Sequence, residues 1–439
     1  MSQIAPKNRV KNSLKYSVLD GSAYAAMLGL TQNYITPFAL ALKATTAQIG
    51  LLTSFPNFAM AISQMAAPDL AEKAGSRKAF ILPVVFLHAL TWIPMLLIPF
   101  FFHNSPVWWL IVFVTANMVL GALANPAWGS MMADLVPVRL RGRYFGVRGR
   151  ITGFITVAFS LIAGFILQQF AGNVFIGFAI LFGGAAVFRF ISLYYLYRMW
   201  EPPVSREAEN STSLPRIILS TLSTNPGRFT LFVSLIFFAS NVASPFFAVY
   251  MLRDLNYDYT DYTINITAYF VATIAFQTFW GRRGDHAGNL SVIRFTSYLL
   301  PAVPIVWLIS TNQYFLIAAQ VFSGFAWAGF NLAATNFLYD ATEDGSRTKY
   351  IAFFNAMTGI SICAGAVIGG YIIPLLPPTR GNNLLTLFLI SGMLRGIFIL
   401  ALLNRIKEVR NVPQISNLQL LTGRFNNGSS GKITSYQAK

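Results

Sequence analysis

"RLRGRYFGVRGR" (residues 139–150) places five arginines in twelve positions. What those arginines face decides what kind of molecule this is. A nucleic-acid arm is the first reading, since the chain has a formal net charge of +17 and a pI near 10.1. Such a binder presents a basic surface to water. The rest of the composition excludes it. The 439 residues are 55% hydrophobic and only 11% charged, with a mean hydropathy of +0.55, whereas soluble domains carry about 25% charged residues. There are too few polar residues to coat a soluble globule of this length, so the arginines flank apolar spans in a polytopic membrane protein with the bilayer as its surroundings and no nucleic-acid partner.

A helical span needs roughly 20 mostly apolar residues. Runs of that kind lie near 17–42, 47–67, 79–102, 106–132, 151–170 and 173–197, then near 228–252, 262–280, 290–310, 314–338, 351–376 and 383–404. The first sixteen residues are polar and basic, and the long apolar stretch behind them reads as a retained first span rather than a cleaved leader. The polar, proline-marked "EPPVSREAENSTSLPR" (residues 201–216) divides the two sets. The expected organisation is a tail over 1–16, a six-helix bundle over 17–198, a linker over 199–227, a second bundle over 228–404 and a tail over 405–439.

With the N-terminus placed in the cytoplasm, 27 of the 32 Lys and Arg residues fall on the inner side, three on the outer side and two within spans. That asymmetry is the positive-inside pattern. It predicts cytoplasmic termini and a plasma (inner) membrane location, and it accounts for the pI. The "RLRGRYFGVRGR" stretch becomes the inner turn between the fourth and fifth spans.

The two halves repeat. At an offset of 206, Asn125, Asp134, Arg141, Tyr144, Gly164 and Arg189 match Asn331, Asp340, Arg347, Tyr350, Gly370 and Arg395. At 208, Asn33, Pro37 and Phe38 match Asn241, Pro245 and Phe246; at 213, Glu72 and Gly75 match Asp285 and Gly288. Six spans per half start both copies on one side. The fold expected is therefore an all-α protein of twelve transmembrane helices, as two six-helix bundles related by a pseudo-twofold along the membrane normal. Transporters are built this way, with the substrate near the midplane between halves.

"PDLAEKAGSRK" (residues 68–78) resembles the major facilitator superfamily signature between helices two and three, Gly-x-Leu-Ala-Asp-Arg-x-Gly-Arg-Lys, with Pro68, Glu72 and Lys73 in place of its Gly, Asp and Arg. "GRRGDHAG" (residues 281–288) resembles the second-half copy, and "ADLVPVRLRGRYFG" (residues 133–146) the loop between helices four and five. The resemblance runs over about residues 15–410. It implies alternating access by two rocking bundles. It also implies that Glu72 and Asp285, with Gly75 and Gly288, sit beside the N-terminal end of a helix in the opposite half, where the dipole favours a carboxylate, and hold the cytoplasmic side shut. Asp134, Arg141, Asp340 and Arg347 fall in the same gate. The plainer reading is solvated loop charge. Two departures count against a proton-driven drug exporter: Asn117 stands four residues before Gly121, where such members often carry Arg, and the fifth span lacks their Gly-Pro.

In this family helices one, four, seven and ten usually line the cavity. Their polar residues are Gln32, Asn33, Tyr34, Asn117, Asn125, Trp128, Asn241, Asn331 and Asn336; neighbouring helices add Tyr269, Gln277 and Asn355. Each amide needs a partner in the bilayer, either another helix or a solute. Together they suit a small polar solute held by amides and aromatic faces. Asp20 and His88 are candidates for a proton or cation site, with interfacial charge and packing as their plain readings. Arg148 and Arg150 have no twins in the repeat and would be first contacts for an anion. Arg189 and Arg395 lie in helices six and twelve, which in this family usually face away from the pathway, and read as a symmetric structural pair, with anion binding as the alternative.

The expected function is a secondary active or facilitative transporter of a small polar solute, with a coupled ion where transport is driven. The alternative is an exporter of amphipathic drugs or lipids. A membrane-embedded enzyme or a receptor is a weaker fit: the sequence has no zinc-type His spacing, no Gly-x-Ser-x-Gly and no P-loop lysine. The one cysteine, Cys363, and three scattered histidines offer no metal site, so neither a metal nor a cofactor is expected, and the chain is expected to work as a monomer.

Overall fold

The computed structural model describes residues 7–137, 140–202, 224–342, 347–410, 412 and 417–422. Within them run twelve helical rods. In the first half they are α1 (Lys7–Thr31, continued by Ile35–Ala41), α2 (Thr46–Lys73), α3 (Arg77–Leu90, continued by Trp92–Phe101), α4 (Pro106–Leu135), α5 (Arg141–Gln169) and α6 (Val174–Arg198). In the second they are α7 (Asn225–Asn241, continued by Phe246–Val249), α8 (Tyr259–Ala287), α9 (Asn289–Leu299, continued by Ala302–Ile305), α10 (Gln313–Asp340), α11 (Arg347–Ile372) and α12 (Asn383–Leu402). Nine helices among the described residues are long and apolar enough to cross a membrane. The other three rods, α1, α2 and α8, have the length but more polar residues.

Several helices outrun their apolar cores. The fifth span, expected from residue 151, begins at Arg141, so most of "RLRGRYFGVRGR" is the first turns of α5 rather than a turn between helices. Charge ends a hydrophobic run but not a helix. Arginine is a good helix former, and the backbone ladder continues until a cap or a breaker stops it. Breaks inside the rods fall at prolines. Pro94 lies just beyond the α3 break at Thr91 and Pro304 just beyond the α9 break at Leu300, and each lacks the N–H that the carbonyl four residues earlier needs. On the far face, away from the chain ends, Asp258, Asn312 and Asn382 cap α8, α10 and α12 by accepting from backbone N–H groups.

The contacts obey the repeat. α1 packs on α5 and α6, as α7 packs on α11 and α12; α2 and α3 pack on α4, as α8 and α9 pack on α10. The bundles meet along α2–α11 and α5–α8, two pairings that exchange under the pseudo-twofold. On the far face one apolar core crosses the bundle boundary, joining Tyr34, Phe38 and Phe182 to Phe246, Trp307 and Phe388. Toward the face that carries the chain ends there are two separate cores, one around Met131 and Leu196, the other around Phe229 and Phe337. Phe154 on α5 is 76% exposed there. The bundles are joined on the far face and parted on the terminal face.

Candidate substrate cavity

A cavity of about 360 Å³ lies at mid-depth. α7 presents Phe237, Ser240, Asn241 and Ser244 to it, and α10 presents Gln320, Ser323, Trp327 and Asn331. In each set the spacing is one, three or four residues, which is one face of a helix. α8 adds Tyr262 and Tyr269, the second segment of α9 leads to Trp307, and α12 adds Arg395. The first half supplies a single lining residue, Asn33. The walls therefore offer amides, hydroxyls, aromatic faces and one guanidinium, and no carboxylate lines them.

The far-face closure above this cavity is built from backbone approach and four hydroxyls, those of Tyr34, Thr263, Tyr262 and Ser54. Tyr34, fully buried, donates to the Ser160 carbonyl at 2.5 Å and shares a 2.8 Å bond with Thr263 of the other bundle. Tyr262 donates to the Asn33 carbonyl at 2.7 Å. That carbonyl is available because Pro37, four residues on, has no N–H to give it. Ser54 reaches the Cys363 carbonyl at 2.9 Å. Glycines let the helices approach: a Cβ on Gly164 would strike Thr263, and one on Gly50 would meet the Ala366 carbonyl at 2.5 Å.

The first half holds a buried polar chain at the equivalent depth. Arg189 donates from Nε to His88 Nδ1 at 2.8 Å and from Nη1 to Ser192 at 2.9 Å; Ser192 donates to Asp20 at 2.6 Å. Accepting at Nδ1 from a guanidinium leaves the His88 ring its proton on Nε2, so the ring is neutral. Arg148 stands 3.8 Å from Asp20, over the Trp128 ring, and bonds the Ser17 carbonyl. Gly21 makes room for it, since a Cβ there would run into the guanidinium. Two smaller cavities flank this chain. One of about 170 Å³ is lined by Asp20, Asn125, Trp128 and Arg148; the other, about 190 Å³, is lined by Gln32, His88, Asn117 and Asn125.

The expected site residues thus separate. Asn33, Asn241, Tyr269 and Asn331 line the main cavity; Gln32, Asn117, Asn125 and Trp128 line the small ones; Tyr34 is a closure tie. Gln277 and Asn355 are exposed on the parted half and Asn336 is half-buried beside them. Arg148 is a partner of Asp20, while Arg150 is exposed. Arg395 belongs to the cavity although helix twelve was expected to face away from it. Gln320, Tyr262 and Trp327 were not singled out from the sequence. The helical register of Gln320, Ser323, Trp327 and Asn331 was the available signal.

Among the described residues, the ion pairs and side-chain hydrogen bonds of the gate candidates stay within one bundle. Asp134 pairs with Arg77 at 2.6 Å, and Glu201 accepts from the Ser76 hydroxyl and the Arg77 N–H. In the twin cluster Asp340 accepts from Asn289 and Arg410, and Glu408 from the Leu290 N–H. The bond to Asp340 raises the Arg410 guanidinium further above its ordinary value. Arg141 bonds the Ala133 and Val136 carbonyls at the end of α4, not Asp134 or Asp340. Gly75 and Gly288 both turn the chain at positive φ, +71° and +82°, where glycine is free of strain. Asp285 is exposed. The Glu72 and Arg347 side chains lie outside the described residues.

The Major Facilitator Superfamily profile matches residues 21–241 and 229–423. Among solved structures, the nucleoside transporter NupG, as a point mutant, is 12% identical with a TM-score of 0.73, over 90% of this chain and 100% of that one. The D-xylose-proton symporter is 12% identical at 0.67, over 91% and 98%. A bacterial homologue of the human lysosomal transporter Spinster, inward-facing and occupied, is 15% identical at 0.64, over 92% and 98%. Identities this low carry the fold alone. No curated protein sequence matches the chain.

Proposed function

Since the chain belongs to the major facilitator superfamily and is an integral membrane transporter rather than an enzyme, we propose that it moves a small polar solute across the plasma membrane by alternating access. One observation carries this reading: a mid-depth cavity of about 360 Å³, lined by Asn33, Asn241, Gln320 and Asn331 and by aromatic faces. Drug-sized sites begin at about 300 Å³, and these amides, half-buried at Asn33, Asn241 and Gln320 and exposed at Asn331, offer hydrogen bonds that a polar solute would take up. The joined far face and parted terminal face are one end state of the cycle. In the other, the terminal face closes, and Glu72 and Asp285 take up their helix ends across the bundle boundary. Asp20, held by Ser192 and Arg148, is the coupling group, exchanging a proton when Arg148 moves away.

The 27 inner basic residues make the terminal face cytoplasmic. A reporter fused after Lys439 is expected to be active only in the cytoplasm; activity outside would reverse the orientation.

The cavity is tested with a panel of neutral polar solutes and organic acids, read by thermal unfolding of the full-length protein. A true ligand stabilises by mass action. At least one panel member is expected to raise the midpoint and to be taken up by proteoliposomes, with about tenfold weaker binding in Asn331→Ala, as for the loss of one hydrogen bond worth about 1.4 kcal/mol. A ligand indifferent to both Asn331→Ala and Asn241→Ala would move the site elsewhere.

A further inference from the structure

The repeat places one arginine at the same point of each bundle, and the two bundles treat it differently. Around Arg189 the charge is answered from within: Ser192 links it to the Asp20 carboxylate, and His88 accepts from Nε. Around Arg395 neither device exists. The position equivalent to Asp20 at the offset of 208 is Arg228. Arg395 donates only to neutral oxygens, the Leu300 carbonyl at 2.9 Å and Ser391 at 3.2 Å. Pro304 offers the Leu300 carbonyl no N–H, so its one backbone donor among the described residues is the Val303 N–H at 3.3 Å. The Arg395 Nε–H has no partner among the described residues, in a residue 2% exposed. A buried guanidinium without a counter-charge is costly, and this one lines the mid-depth cavity, whose walls contain no Asp or Glu.

Resting on the transport reading above, we infer that the missing counter-charge is the substrate's own: the solute is a small organic monocarboxylate with a planar ring, its carboxylate held by Arg395. The guanidinium fork matches a carboxylate in shape and donor number. Trp327, whose ring centroid lies 6.0 Å from the guanidinium carbon, and Trp307 supply flat faces for the ring. Asn241, Gln320 and Asn331 remain for its polar substituents. One cation with no second positive group beside it in the cavity wall suits a monoanion. A phosphate dianion would leave a charge unanswered.

The test compares pairs of equal shape, benzoate against benzamide and nicotinate against nicotinamide, at matched ionic strength on full-length protein in detergent. Binding is read by thermal unfolding. Each acid is expected to bind at least tenfold more tightly than its amide. Arg395→Gln should erase that preference, and Arg395→Lys, which keeps charge but loses the fork, should fall between. The acid–amide contrast in the unmodified protein stands even where Arg395→Gln does not fold. Amides binding as well as acids, or an acid preference that persists in folded Arg395→Gln, overturns the inference. If Asn331-sensitive binding of neutral solutes remains in the first case, the polar-cavity reading survives it; if no solute binds in an Asn331-sensitive way, both fall.

Discussion

Valine at position 50 is expected to cut transport ten- to a hundredfold while the protein still inserts and folds. Gly50 on α2 crosses α11 with backbone against backbone. A Cβ there would lie 2.5 Å from the Ala366 carbonyl oxygen and 3.3 Å from the Gly370 Cα, and a Cβ on Gly370 would meet the Thr46 carbonyl at 2.8 Å. These neighbours are main-chain atoms and cannot swing aside as a side chain would. Overpacking a tight contact costs about 1–3 kcal/mol, which is roughly a five- to 150-fold bias between two states. The cost is paid only when the far face is closed, so the population shifts toward the state in which the terminal face closes instead. Alkylation of a cysteine placed at Asn355, on a Cys363→Ser background, should slow in parallel with turnover. Serine at this position keeps the residue 363 carbonyl that Ser54 bonds. Unchanged labelling and unchanged turnover would remove the α2–α11 crossing from the gating contacts.

Asp20→Asn carries the second large effect: loss of accumulation driven by a pH gradient, with exchange of solute across the membrane retained. Among the carboxylates, Asp20 is 4% exposed, one hydroxyl from Arg189 and 3.8 Å from Arg148. Adding a proton to it removes the charge that holds Arg148, whose other ties are a carbonyl and the Trp128 face. An amide is fixed in that neutral form. With one proton per solute, each pH unit supports at most about a tenfold gradient, since one unit is worth 1.36 kcal/mol. The unmodified protein should concentrate the panel ligand when an inward gradient is imposed and lose this with a protonophore; Asp20→Asn should only equilibrate it. Accumulation that persists in Asp20→Asn would falsify the assignment of the coupling group.

The two arginines of the repeat show how far a sequence reading reaches. Both were visible as charges placed deep in apolar spans at equivalent positions, and symmetry argued for one shared structural role. Their difference depends on Asp20 and His88 in one bundle and on Leu300 and Pro304 in the other, residues more than ninety positions away in the chain from their arginine. No spacing rule joins such distances. The partner of Arg148 was hidden for the same reason. In sequence this arginine belongs to a basic stretch, but about two turns into α5 it reaches back to α1 and its carboxylate.

Polarity along the chain determined a great deal on its own: the membrane, the number of spans, the placement of basic residues and the duplication. These follow from what a bilayer demands of each residue singly, and a composition of 11% charged residues leaves little freedom. Periodicity within one helix could also have shown the face that bears Gln320, Trp327 and Asn331. Only the tertiary structure decided that the cavity sits almost wholly in the second half, that Tyr34 and Tyr262 tie the far face shut, and that one buried arginine is answered by a carboxylate and its twin is not. Those are properties of pairs brought together by packing. The energy of a buried charge depends on what stands beside it, and the chain does not write its neighbours in order.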